Sequence, residues 1–335
     1  MATQETTLSL IVPVYNRPGE VDELLESLTK QTEGGFEVII VEDGSANPCR
    51  QVVDKYADRL RVSYHVIPNG GPGKARNYGA GKATTDYLIV LDSDCILPPG
   101  YIEAVKKELR ESGADAFGGP DKASEGFTDV QKAINYSMTS FLTTGGIRGG
   151  KKKGMDKFYP RSFNMGIRRS AYEALGGFSD MRFGEDIDFS IRLYKGGYKV
   201  RLFPSAWVFH KRRTDWKKFF RQVYNSGIAR ISLFKKYPES LKVVHMLPAA
   251  FTLGVALLIV GALFCPWSLA PLGLFAAIIF VDSLLRNKSA WIGALSVIAS
   301  FIQLTGYGSG FLAAVWNLLI LKRESYSAFV KNFYN

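Results

Sequence analysis

From Met246 to Leu321 the sequence is almost continuously apolar, interrupted by a short charged patch at Arg286-Asn287-Lys288. That run sets the organisation of the chain, because the residues before about 240 mix polar and apolar types. A mean hydropathy of zero therefore averages two unlike parts. The first is long enough for one domain with its own core, and the second reads as α-helical transmembrane segments. Met246–Phe264 and Pro266–Leu285 are each long enough to cross a bilayer. Ala290–Leu321 is longer than one crossing requires and contains Gly306-Tyr307-Gly308-Ser309-Gly310, where a kink or a re-entrant hairpin is expected. If the chain starts inside, it crosses near Cys265-Pro266 and returns at Arg286–Lys288, as the cytoplasmic preference for cations requires. The expected layout is a folded domain over 1–240, transmembrane helices within 243–323 and a short tail over 324–335.

The formal net charge of +11 is uneven, with 23 Lys or Arg against 8 Asp or Glu in residues 143–242. Such an excess suits nucleic acid, anionic lipid or a phosphorylated substrate. Neither zinc-finger spacing nor an RNP-like motif nor a basic heptad region accompanies it, and apolar segments follow directly. The expected partners are therefore a phosphate-rich substrate and an anionic membrane surface, with no nucleic acid. Cys49, Cys95 and Cys265 form no CxxC pair and read as small residues of a reducing compartment. The N-terminal segment lacks the basic and apolar regions of a signal peptide, so the folded domain is expected in the cytoplasm, on the inner membrane.

Within residues 1–240 short apolar runs alternate with helical patterns. Strands are expected at Leu8–Val14, Phe36–Val41, Arg61–Val66, Tyr87–Leu91 and Lys199–Phe203. Helices are expected at Glu20–Lys30, Val52–Tyr56, Lys74–Ala83, Asp129–Leu142 and Glu185–Lys195. That alternation predicts an α/β fold with a mostly parallel sheet. The Gly- and Lys-rich stretch over 116–160 reads as loops around one helix. Asn16, Glu42-Asp43 and Asp92-Ser93-Asp94 each directly follow an apolar strand. Ligands in open α/β sheets bind outside the carboxyl ends of strands, so three polar clusters are expected on one rim.

Val12-Pro13-Val14-Tyr15-Asn16, Val41-Glu42-Asp43-Gly44-Ser45, Ala75-Arg76-Asn77-Tyr78-Gly79, Leu91-Asp92-Ser93-Asp94 and Gly184-Glu185-Asp186-Ile187-Asp188 stand in one order. In that order they resemble family 2 glycosyltransferases of the Rossmann-like GT-A fold, over residues 8 to about 230. The resemblance implies inverting transfer from a nucleoside diphosphate sugar. It implies a nucleotide site at Pro13, Tyr15, Asn16, Glu42, Asp43, Arg76, Asp92 and Ser93. A carboxylate accepting from a pyrimidine N3–H favours a UDP-sugar donor. One of Glu42 and Asp43 is expected to cap the following turn instead.

Asp92-Ser93-Asp94 resembles the DxD motif, so Asp92 and Asp94, completed by His210, are expected to hold Mn²⁺ or Mg²⁺. Asp186, beside Glu185 at a helix start, is expected to be the catalytic base, with Asp188 an ordinary first-turn acid. Arg212 and Arg213 are expected to clamp the diphosphate leaving group. Gly166 is expected in a loop shaping the acceptor side, and Trp216–Arg221 in a helix on the membrane interface. Arg221-Gln222-Val223-Tyr224-Asn225 stands where processive synthases carry Gln-x-x-Arg-Trp, which disfavours a processive enzyme.

The expected function is transfer of one sugar to a lipid-linked or membrane-proximal acceptor in cell-surface polysaccharide or glycolipid synthesis. A polyprenyl-phosphate glycosyltransferase, with Lys151–Lys153 on the lipid phosphate, is the nearest rival. A non-catalytic membrane scaffold is the weakest.

Overall fold

The computed structural model describes residues 6–122, 126–145, 158–211 and 215–329. The chain divides into two compact units, Met1–Ser124 with Met155–Lys211, and Glu125–Gly154 with Arg212–Phe333. Hydropathy alone places the boundary near 240, because it weighs apolar runs and misses the half-polar segments that join the second unit.

The first unit opens with β1 (Leu8–Val14), α1 (Pro18–Thr29), β2 (Phe36–Asp43), α2 (Arg50–Asp54), β3 (Val62–Ile67) and α3 (Pro72–Lys82). It continues with β4 (Tyr87–Leu91), β5 (Cys95–Ile96), α4 (Tyr101–Ser112), β6 (Ala116–Gly118) and β7 (Asp121–Lys122). The chain then contributes α5 (Asp129–Thr139) and α6 (Phe141–Thr144) to the second unit. Back in the first unit run β8 (Asn164–Arg168), α7 (Arg169–Ala174), α8 (Glu185–Lys195), β9 (Val200–Leu202) and β10 (Val208–His210). The second unit closes with α9 (Trp216–Lys236), α10 (Leu247–Gly261), α11 (Ala270–Asn287) and α12 (Ala290–Ala314).

Seven strands form one sheet in the order β3-β2-β1-β4-β8-β6-β9. All its pairings are parallel except those of β8 with β4 and β6, so the expected mostly parallel α/β sheet is present. Alternation along each strand sorts its side chains into two layers. Leu8, Leu10, Val12 and Val14 share one core with Leu24, Leu25 and Leu28 of α1 and Ile102 and Val105 of α4. Ile11, Ile39, Val41, Leu88 and Val90 share the other with Ala75 of α3 and Phe189 and Leu193 of α8. Strand order reverses between β1 and β4, the point where an open α/β sheet leaves a crevice. The β1–β4 ladder stops at Ile11–Val90, whereas β1 stays paired with β2 as far as Val14–Glu42. Pro13 thus lies where this central strand has already left one neighbour.

Gly166, expected in a loop, is instead in β8. A methyl there would lie 1.9 Å from the Phe117 ring, so the residue is glycine because an aromatic side chain covers the strand. A second, three-stranded sheet has the order β5-β10-β7, with His210 opposite Cys95.

In the second unit Phe219, Val223, Ala133, Met138, Leu295 and Ala299 share a core. The apolar face of Trp216–Arg221, expected on a membrane interface, therefore faces helices of its own unit. Gly306, Gly308 and Gly310 form no re-entrant hairpin, since α12 runs continuously through them. A methyl at Gly310 would lie 2.1 Å from the Tyr224 carbonyl oxygen of α9, and one at Gly308 would lie 2.2 Å from the Pro248 carbonyl oxygen of α10. Small residues at this spacing let backbones approach, which is how apolar helices associate where hydrophobic burial offers little. The Tyr136 hydroxyl donates to Asp282 Oδ2 at 2.6 Å, fastening α5 to α11. Pro266–Asn287 and Ala290–Ile320 are long and apolar enough to cross a membrane. The first apolar segment forms a helix of only 15 residues, about 22 Å against the roughly 30 Å of a hydrocarbon core.

Candidate active site

The rim of the first unit at the β1–β4 switch point gathers most of the residues singled out from sequence. Asp92 and Asp94 leave the end of β4, and His210 ends β10. His210 Nε2 lies 3.1 Å from Asp94 Oδ1 and 3.9 Å from Asp92 Oδ2. The imidazole is stacked on Phe163 at 4.9 Å, which fixes its plane. The β5–β10 ladder aims it, because His210 pairs with Cys95 one residue beyond the motif. Ser93 is buried between the two acids.

Each of these carboxylates turns its other oxygen to an arginine. Arg17 Nη1 donates to Asp94 Oδ2 at 2.6 Å, and Arg76 Nη2 donates to Asp92 Oδ1 at 2.9 Å. Arg76 Nη1 reaches Glu185 Oε1 at 2.8 Å, and the guanidinium lies over the Phe178 ring. Burial disfavours the Arg76 charge, yet Asp92 and Glu185 hold it well above its ordinary value. Burial likewise pushes the Glu185 carboxyl up, against the pull of Arg76. Arg76, expected on the nucleotide, is therefore the buried cation that joins the β4 acids to α8.

Asp186 stands beside Glu185 in the first turn of α8. Its Oδ1 accepts from the Ile187 amide at 2.8 Å, and its Oδ2 pairs with Arg161 Nε at 2.8 Å. Arg161 is 41% exposed at its side chain and belongs to no sequence motif. Asp188 is fully buried and accepts from Arg192 Nε at 2.9 Å, while Arg192 also donates to the carbonyls of Leu175 and Gly177. Through Arg192 it latches the turn before the helix.

Asn16 joins two loops, its amide donating to Ser45 Oγ at 2.7 Å and its Oδ1 accepting from the Asn47 amide at 2.8 Å. Tyr15 is half-buried beside it. Glu42 accepts from the Cys49 amide at 2.8 Å, from the Tyr64 hydroxyl at 3.1 Å and from Ser45. Asp43 accepts from the amides of Gly70 and Gly71 at 2.7 and 2.8 Å. The structure engages both acids with the protein's own groups, where the sequence reading left one for the nucleotide. Arg212, Arg213 and Lys151–Lys153 lie outside the described residues.

A divalent cation fits the cluster. Asp94 Oδ1 and His210 Nε2 lie together, with Asp92 Oδ2 3.9 Å from the same nitrogen, a set of hard oxygens with one nitrogen that suits Mn²⁺ or Mg²⁺. Cys95 Sγ also lies within the 4.8 Å group formed with Asp94 and His210. Burial, reinforced by Asp94 and Asp92, pushes its thiol well above the ordinary value. The thiol donates to the Phe163 carbonyl at 3.4 Å, a contact that packs β5 against the loop before β8.

The sequence profile of glycosyl transferase family 2 matches residues 9–176, half of the chain and all of the β1 to β8 core. The chain belongs to glycosyl transferase family 2. It is a glycosyltransferase. An uncharacterised glycosyltransferase of Haemophilus influenzae is 33% identical over 62% of this chain and 70% of its own length. The succinoglycan biosynthesis protein ExoA of Rhizobium meliloti is 25% identical over 91% of this chain and 94% of its own. Some relatives are longer, and the family 2 chain spans about half of a probable glycosyltransferase of Bacillus subtilis, 53%. Among solved structures, the mannosyltransferase PcManGT of Pyrobaculum calidifontis, in complex with GDP-Man and Mn²⁺, superposes with a TM-score of 0.60. It covers 94% of this chain and 88% of its own at 16% identity, a likeness of GT-A-type fold.

Proposed function

We propose that this family 2 enzyme transfers one sugar, with inversion, from a nucleoside diphosphate sugar to a lipid-linked or membrane-proximal acceptor. The work is the assembly of a cell-surface polysaccharide or glycolipid at the cytoplasmic face of the inner membrane. The observation that carries this reading is the arrangement on one rim: His210 lies against Asp94 with Asp92 beside it, and Arg76 ties Asp92 to the Glu185-Asp186 turn. The likeness to ExoA over nearly the whole length supports the polysaccharide context, and the two long apolar helices support the membrane.

Asp92, Asp94 and His210 would hold a divalent cation, which when bound offsets charge on the leaving diphosphate. Asp186 accepts the proton of the acceptor hydroxyl as that oxygen bonds to the anomeric carbon. The bond from the anomeric carbon to the diphosphate oxygen breaks on the opposite face, and the configuration inverts. Arg161, paired with Asp186 at 2.8 Å, orients the base until the acceptor arrives. Arg76 holds Glu185, and with it the first turn of α8, in place.

The test is nucleotide release from UDP-, GDP- and dTDP-sugars by the purified full-length protein with Mn²⁺. Extracted lipids and soluble sugars serve as acceptors in parallel. Release stimulated by lipid acceptor supports the reading, and equal stimulation by soluble acceptors overturns its lipid part. A lipid phosphate as the acceptor itself is the second reading, favoured by the half-exposed Arg161 beside the base. A phosphate oxygen needs no deprotonation, so Asp186→Asn would then cost little turnover.

A further inference from the structure

The two acids that face His210 are already neutralised from behind. Arg17 meets Asp94 at 2.6 Å and Arg76 meets Asp92 at 2.9 Å. A dication entering between Asp92, Asp94 and His210 therefore joins a site where each aspartate already has a guanidinium partner. The diphosphate of a sugar nucleotide supplies the missing negative charge. The two arginines are not equivalent. Arg76 is 4% exposed at its side chain and is also held by Glu185, so it is fixed in the core. Arg17 is 31% exposed and sits in the turn between β1 and α1, facing β4 across the switch-point crevice. Burial works against its charge, but Asp94 holds the guanidinium above its ordinary value.

We infer that Arg17 makes metal loading conditional on the donor: its charge opposes a lone divalent cation and favours one that arrives with a diphosphate. This rests on the proposed cation site at Asp92, Asp94 and His210. Arg17 is a positioning and charge-balancing residue, since it acts on the cation through Asp94. Placing a fixed cation on a ligand carboxylate weakens that ligand for a second cation, by Coulomb repulsion that buried sites screen poorly. Once a diphosphate is present, the same charge becomes attractive to the ligand pair.

The test is Mn²⁺ binding to the full-length protein in detergent, read by electron paramagnetic resonance of the free ion, with and without UDP or GDP. Arg17→Gln keeps a hydrogen-bond donor for Asp94 and drops the charge, whereas Arg17→Lys keeps the charge. The wild type should bind Mn²⁺ weakly alone and more tightly with nucleotide. Arg17→Gln should bind Mn²⁺ about tenfold tighter than wild type in the absence of nucleotide and lose most of the nucleotide effect. Arg17→Lys should behave as wild type. Equal or weaker Mn²⁺ binding by Arg17→Gln, or an unchanged nucleotide effect, overturns the inference. The underlying site reading fails separately: it is wrong if Asp94→Asn and His210→Ala leave Mn²⁺ binding untouched.

Discussion

Arg76 Nη1 stands 2.8 Å from Glu185 Oε1, although 109 residues separate them in the chain. That single pair connects the helix after β3 to the turn that presents Asp186. Its removal tests how far the site depends on it. Arg76→Met leaves Glu185 and Asp92 without their cation and should cost about 3–5 kcal/mol of stability near neutral pH. The folded-state pKa of Glu185 is already raised, so without Arg76 the native state binds its proton still more readily. Stability therefore falls as pH climbs through and above the ordinary carboxyl range. Urea melts of Arg76→Met should show a smaller deficit at about pH 5 than at about pH 8, and a larger deficit at the lower pH contradicts the assignment.

Asp186→Asn should lower turnover by roughly 10²–10⁴ while donor affinity stays near that of wild type. Steady-state transfer and donor titration separate the two. Asp188→Asn should instead lower the melting temperature, because the buried latch to Arg192 loses its charge, and should leave turnover per folded molecule close to wild type.

Removal of divalent ions with EDTA should abolish transfer, and Mn²⁺ or Mg²⁺ should restore it. Asp94→Asn should cost at least about two orders of magnitude in rate at saturating Mn²⁺. Undiminished transfer in EDTA would sink the metal assignment.

The seam between α9 and α12 makes a steric prediction. Gly310→Ala drives a methyl against the Tyr224 carbonyl and should destabilise by about 1–3 kcal/mol. Gly273→Ala, in α11 with open space around it, should be neutral or slightly stabilising. Thermal melts in one detergent compare the two directly.

Strands β1 to β4 and their helices were legible because each is one uninterrupted periodic segment. Tyr87–Leu91 and Glu185–Lys195 were read with the bounds they have. The helix Tyr101–Ser112 was overlooked although Tyr101, Ile102, Val105 and Leu109 mark its buried face. The resemblance puts Gly166 in a loop, whereas the residue is in β8 and its missing side chain is room for a ring. Most of the candidate acids stand out in sequence, since they follow strands directly. Of their cations, Arg76 stands out in sequence, but Arg17 lies 77 residues from Asp94, and nothing local announces that such a pair will form. The glycines of α12 were read as a break because sequence shows the missing side chain and not the helix that takes its place.

The two-residue ladder that sets His210 opposite Cys95 separates the cation cluster from what lies between them in sequence. A slip of one residue would turn the imidazole to the other face of the strand. As long as that short ladder and the pairing of β10 with β7 re-form, the connections joining these strands can change in length without moving the imidazole. The length of the connecting chain and the placement of the histidine are thus separate requirements, one open to variation and the other kept by two residues of pairing.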